Sequence, residues 1–148
     1  MREILFRGKR IDSGEWAYGD LHHNDDTRFP MTLIGHVVMS RDKYIQQDLN
    51  FDGYDLCEVD PETAGQFTGL TDKNGKKIFE GDILLIHDTK DFPVYVAFDN
   101  FRWTCLSKKF RMYRHPLEEN PKKYEVIGNV HDDPGPQLPW EDDCDAPF

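Results

Sequence analysis

Apolar and polar residues in this chain fall into short runs, and almost nowhere do they recur at the three-to-four spacing of an amphipathic helix. Residues 2–7 and 15–21 read as two strands flanking a turn, and 22–30 as a polar loop. Residues 31–39 are apolar with β-branched content and predict a buried strand, and a short strand is expected at 44–47. Asp60-Pro61-Glu62-Thr63 supplies an Asp N-cap followed by Pro, enough for one helical turn. Strands follow on both arms of Asn74-Gly75, at 83–86, and at 94–98 and 103–107 around Asp99-Asn100. The last is expected at 124–130, interrupted by Gly128. Turn signals every 8–15 residues predict an all-β fold, barrel-like or a sandwich, with little helix.

One segment occurs twice. Phe67-Thr-Gly-Leu-Thr-Asp-Lys-Asn-Gly-Lys-Lys-Ile-Phe-Glu-Gly-Asp-Ile is echoed by Phe6-Arg-Gly-Lys-Arg-Ile-Asp-Ser-Gly-Glu-Trp-Ala-Tyr-Gly-Asp-Leu. Each copy has Phe, Gly two later, a Gly-containing turn, an aromatic and then Gly-Asp before an aliphatic residue. Equivalent hairpins are expected, and Asn74-Gly75 predicts a type I′ turn with positive φ at both central residues. The repeated Asp20 and Asp82 are expected to turn corners by accepting backbone N–H groups rather than to act as a catalytic pair.

Composition narrows the functional classes. A chain of 148 residues with ten Phe, six Tyr and three Trp can bury a core without metal or disulfide staples, and no cofactor is expected. No run is long and apolar enough to span a bilayer, and residues 1–20 lack a signal-peptide core, so the expected site is the cytoplasm. Cys57, Cys105 and Cys144 form no CxxC and fit a reducing compartment as inert thiols. The net charge of −10 is uneven. Residues 1–60 hold 7 Lys+Arg against 12 Asp+Glu, 61–131 hold 11 against 10, and 132–148 hold none against 6. Three segments follow: an N-terminal β segment with an insert (1–58), a β core (59–131) and an acidic, Pro-rich tail (132–148). Long-range repulsion works against nonspecific binding of nucleic acid.

Candidate chemistry is sparse. His22-His23-Asn24-Asp25-Asp26 gathers imidazoles and carboxylates, yet neighbouring histidines on a strand point apart, so a shared metal needs distant ligands. His87-Asp88 with Asp91, and His131-Asp132-Asp133, form a divalent site only if the fold joins them. The one basic cluster, Lys108-Lys109-Phe110-Arg111-Met112-Tyr113-Arg114-His115, interleaves cations with Phe110 and Tyr113. That is a polyanion or partner patch, or an edge strand guarded against aggregation. Leu138, Trp140 and Phe148 are candidate docking anchors in the tail.

Three blocks in order resemble the YopX family: the opening Phe6-Arg-Gly-Lys-Arg with Gly14-Glu-Trp-Ala-Tyr-Gly-Asp20, the run from Val59 to Ile83, and Tyr124-Glu-Val-Ile-Gly-Asn-Val130. The resemblance covers 2–21 and 59–131 but not 22–58 or the tail. It implies a barrel-like all-β fold and an intracellular phage or prophage protein, and brings no catalytic residue. The expected function is a protein–protein interaction module that self-associates or engages a host or phage protein. Nucleic-acid binding through 108–114 is the alternative, and a metal-dependent hydrolase ranks third.

Overall fold

The computed structural model describes residues 2–24, 28, 30–37, 54–87, 93–107 and 112–132. Among these residues, eleven strands account for nearly all regular structure: β1 Phe6–Lys9, β2 Trp16–Asn24, β3 Met31–Val37, β4 Tyr54–Glu58, β5 Gly65–Thr71, β6 Lys77–Phe79, β7 Asp82–Ile86, β8 Pro93–Asp99, β9 Arg102–Leu106, β10 Arg114–Pro116 and β11 Tyr124–Asn129. Among the described residues, helix is limited to single 3₁₀ turns at Pro61–Thr63 and Pro121–Lys123. The all-β expectation holds. The described strands form two antiparallel sheets, neither of which closes on itself, so barrel-like fits the fold only loosely. The chain divides into two compact units whose boundary in sequence lies inside β5, between Gln66 and Phe67.

In the first unit the strand order is β4-β3-β2-β1, with Gly65 and Gln66 of β5 paired to Arg7 and Phe6. The polar stretch His22–Asn24 is strand rather than loop, because β3 pairs with it residue by residue from Asn24↔Met31 to Asp20↔Gly35. Tertiary pairing overrides its weak strand propensity. Ile34 and Val59 are fully buried, and Gly8 leaves room for both: a Cβ there would meet each side chain at 3.0–3.1 Å. The 3₁₀ turn is capped as expected, with Asp60 accepting the Glu62 N–H at 3.0 Å. Its Thr63 hydroxyl accepts from the Lys9 N–H at 2.8 Å and donates to the Asp60 carbonyl at 2.7 Å, tying this turn to β1. Arg7 and Lys9 lie over the Trp16 ring at 4.6 and 5.5 Å.

In the second unit, β5 from Phe67 onward pairs with β6, and the five-stranded sheet runs β10-β9-β8-β7-β11. Its core is Ile78, Leu84, Ile86, Val94, Val96, Cys105 and Tyr124, with Leu70, Trp103 and Leu117 packed against it. The core-facing Val94 and Val96 of β8, and Trp103 and Cys105 of β9, are two residues apart, the period of a strand, while Pro93 and Thr104 are buried as well. Phe67 and Phe79 face each other across β5 and β6 with ring centroids 5.6 Å apart. The expected strand at 44–47 lies outside the described residues.

Both repeat copies form hairpins, but with different turns. The first spans Arg10 to Glu15, closed by Arg10 N–H to the Glu15 carbonyl at 2.8 Å and Gly14 N–H to the Arg10 carbonyl at 2.9 Å. The second is not type I′: Gly75 has φ of 78°, whereas Asn74 keeps an ordinary negative φ. Gly75 N–H donates to the Asp72 carbonyl at 3.0 Å, and Asp72 and Lys76 close a three-residue loop. A type I turn followed by left-handed Gly has this form, and Asp72 selects it. Its Oδ1 accepts from the Asn74 and Lys76 N–H groups at 2.9 and 2.8 Å.

Candidate functional site

The type I′ turn occurs where the sequence does not advertise it. Asp99 pairs with Arg102 at the end of the β8–β9 ladder, leaving Asn100-Phe101 as a two-residue loop. Both have positive φ, 52° and 63°. Gly is the usual second residue of this turn, and the left-handed region costs an L-residue about 1–2 kcal/mol. Here the position holds Phe101, 93% exposed. The ring covers no core, so packing does not offset the strain.

Two faces flank that tip. Cross-strand partners share a face of the ladder. Phe98 and Trp103 therefore lie together, edge to face with centroids 5.1 Å apart, and Phe98 is 57% exposed. On the opposite face Asp99, Asn100, Arg102, Thr104 and Arg114 line a shallow polar concavity. Thr104's hydroxyl bridges the Asp99 and Arg102 carbonyls at 3.2 and 3.1 Å, which braces the turn from below. Arg114 donates to Asp99 at 2.7 Å, so the concavity keeps the charge of Arg102. An exposed pair of this kind contributes at most about 1 kcal/mol. The arrangement presents one aromatic ring at the tip, a second aromatic behind it and a guanidinium beside it.

The expected basic patch is only partly within view. Lys108, Lys109, Phe110 and Arg111 lie outside the described residues, as do the tail anchors Leu138, Trp140 and Phe148. Tyr113 is half-buried and stacks on His115 with centroids 4.5 Å apart, so its ring serves packing. Of the described members of the patch, Arg114 lines the concavity. Phe98, Phe101 and Arg102 had no signal in the linear pattern. The Asp99-Asn100 turn was legible, but the conformation of the residue after it was not.

The other candidates separate. His22 and His23 are successive β2 residues on opposite faces, and the His23 ring lies 2.9 Å from the Thr32 hydroxyl. His87 and His131 lie at opposite ends of the β7–β11 ladder, which runs from Ile86↔Tyr124 to Asp82↔Asn129. His87 pairs with Glu125 at 3.0 Å, where Lys73 also binds at 3.1 Å. Those two partners, Lys73 first, hold the Glu125 carboxyl below its ordinary range. The described residues hold no group of three His, Cys, Asp or Glu side chains able to share a metal. Burial pushes the Cys105 thiol up to about 12, which fits an inert thiol.

The repeated aspartates also part ways. Asp82 is buried and accepts the Phe79 N–H at 2.8 Å, making the corner into β7. Asp20 is exposed within β2, at the point where the strand's pairing passes from β1 to β3. The aspartate with the most structural work is one the repeat did not single out. Asp72, 2% exposed, accepts from Asn74 and Lys76 through Oδ1 and from Val126, 54 residues away, through Oδ2 at 3.0 Å. Burial works against its charge, but the three N–H donors prevail and hold its carboxyl below the usual value.

Taken together, the described strands define an all-β protein of two antiparallel sheets. A family model described as YopX protein matches residues 6–136, and the chain belongs to that family. The match runs through 22–58, the stretch that the sequence blocks left unplaced. Among curated proteins none matches. A solved structure, titled crystal structure of protein EF1440 from Enterococcus faecalis, is similar at 21% identity and a TM-score of 0.49, covering 88% of this chain and 95% of that one. No helix among the described residues is long and apolar enough to cross a membrane.

Proposed function

We propose that this protein is a phage- or prophage-type accessory protein that acts as a protein–protein interaction module, with the β8–β9 tip as its contact surface. The observation that carries this reading is Phe101, a bulky exposed ring in a left-handed turn position. Backbone strain without a packing return clusters at functional sites, and aromatics with Arg are the residues most enriched at interface hot spots. Phe98 and Arg102 extend the surface on either side. Family membership agrees with an accessory role and names no reaction.

The test is a tagged pull-down from the infected or induced host, comparing wild type with Phe101→Gly and Arg102→Glu. Nuclease treatment separates protein from nucleic-acid partners. A protein captured by wild type and reduced at least tenfold by Phe101→Gly is expected. Capture that is indifferent to both substitutions overturns the reading. Capture that disappears with nuclease transfers it to single-stranded nucleic acid, where an exposed ring beside a guanidinium is a stacking platform.

A further inference from the structure

The chemistry of the tip is matched by a segment of the same chain. Resting on the interaction reading above, we propose that residues 133–148 dock in cis on the Phe101 hairpin, so that an external partner competes with the tail.

Position comes first. The Val130 N–H donates to the Gly81 carbonyl at 2.9 Å, and the Gly81 N–H donates to the Val96 carbonyl at 2.8 Å. A Cβ on Gly81 would meet the His131 ring at 3.2 Å. Residues 130–131 therefore lie across Gly81 from Val96, one chain away from the part of β8 that continues through Phe98 and Asp99 into the tip. From Val96 to Phe101 the chain covers at most roughly 17 Å, taking 3.4 Å per residue. The sixteen residues after Asp132 reach roughly 50 Å when extended, so length is no obstacle.

Charge and shape come next. Residues 133–148 carry Asp133, Glu141, Asp142, Asp143 and Asp145 and no Lys or Arg. The tip offers Arg102, and Arg114 held only by one exposed ion pair with Asp99. Trp140 precedes three successive carboxylates, so an indole on Phe101 and Phe98 sets acidic groups next to the guanidiniums. Four prolines in positions 133–148 limit the conformations the tail gives up on docking. Association of this kind is electrostatic at its rim and weakens as the Debye length falls to ~3 Å at 1 M salt.

The experiment uses the full chain labelled with 5-fluorotryptophan, which carries three ¹⁹F reporters, at Trp16, Trp103 and Trp140. The Trp140 signal is assigned from Trp140→Phe. At low salt it is expected to differ from the signal of a free 133–148 peptide, and to move to the free-peptide position in Phe101→Gly, in Arg102→Glu and at 1 M NaCl. It should not change over a twentyfold range of protein concentration. A wild-type signal coincident with the free peptide overturns the proposal, as does one that ignores both substitutions. Concentration dependence overturns docking in cis. Far-UV circular dichroism and cooperative thermal unfolding like those of wild type confirm that both variants fold. If Trp140 behaves as free while Phe101→Gly still abolishes host-protein capture, the docking inference falls and the interaction reading stands. If capture is also indifferent, both fall.

Discussion

At the scale of single residues, the backbone decides more than the side-chain inventory does. Gly19 has φ of 154°, and a Cβ there would lie 2.6 Å from the Gly35 carbonyl oxygen across the β2–β3 ladder. Neither backbone can move without breaking the pairing, so Gly19→Ala should destabilise by about 2–4 kcal/mol in denaturant melts, strain and clash together. Gly75 has open space around it, so Gly75→Ala meets strain alone and should cost only about 1–2 kcal/mol. Equal costs at the two sites would refute this division. Phe101 is the opposite case, a large residue where Gly is at ease. Phe101→Gly relieves about 1–2 kcal/mol of strain and loses about 0.5–1 to added chain entropy. Its melting temperature should therefore match or exceed wild type while binding is lost. A clear drop in stability would mean that the ring packs against something, and that display is not its role.

Among elements, the second hairpin shows how one side chain organises two strands that are distant in sequence. The outer edge of β11 is met by the turn after β5: Asp72 takes the Val126 N–H, and the Lys73 N–H donates to the Tyr124 carbonyl at 2.9 Å. The β11–β7 register shifts between Val126 and Gly128, and the carboxylate satisfies an amide at that irregularity. Asp72→Asn puts an NH₂ against a backbone donor and should cost about 1.5–3 kcal/mol. The carboxyl is held below its ordinary value, and its partner in an unfolded chain titrates near 3.9. The stabilisation is therefore complete above about pH 4 and is lost as pH falls through the lower, folded value. Wild type should lose melting temperature below pH 4 faster than Asp72→Asn does, and parallel curves would show that another group governs acid unfolding. The repeat predicted both hairpins correctly because Gly-containing turns and alternating arms are local signals. It mispredicted the turn type because Asn74-Gly75 permits I′ geometry, while Asp72, two residues earlier, bonds the backbone into another.

For the molecule as a whole, each unit has its own buried residues, Ile34 and Val59 in one and the Ile78–Tyr124 cluster in the other. A chain of 148 residues is large enough to stand on burial, so thermal unfolding with and without excess EDTA should coincide. A fall of several degrees on chelation would return His22, His23, His87 and His131 to consideration. The sequence by itself determined the all-β class, the strand-and-turn rhythm, the capped 3₁₀ turn and the family, because two-residue alternation, Gly and Pro punctuation and short capping motifs act over a few neighbouring residues. Only the tertiary structure decided that the sheets stay open and that His22–Asn24 pairs as strand. It alone separated the histidines, set Asp72 against Val126 and exposed Phe101 in a strained turn. Those outcomes depend on which strand lies beside which and in what register, and contacts tens of residues apart leave no local pattern to read.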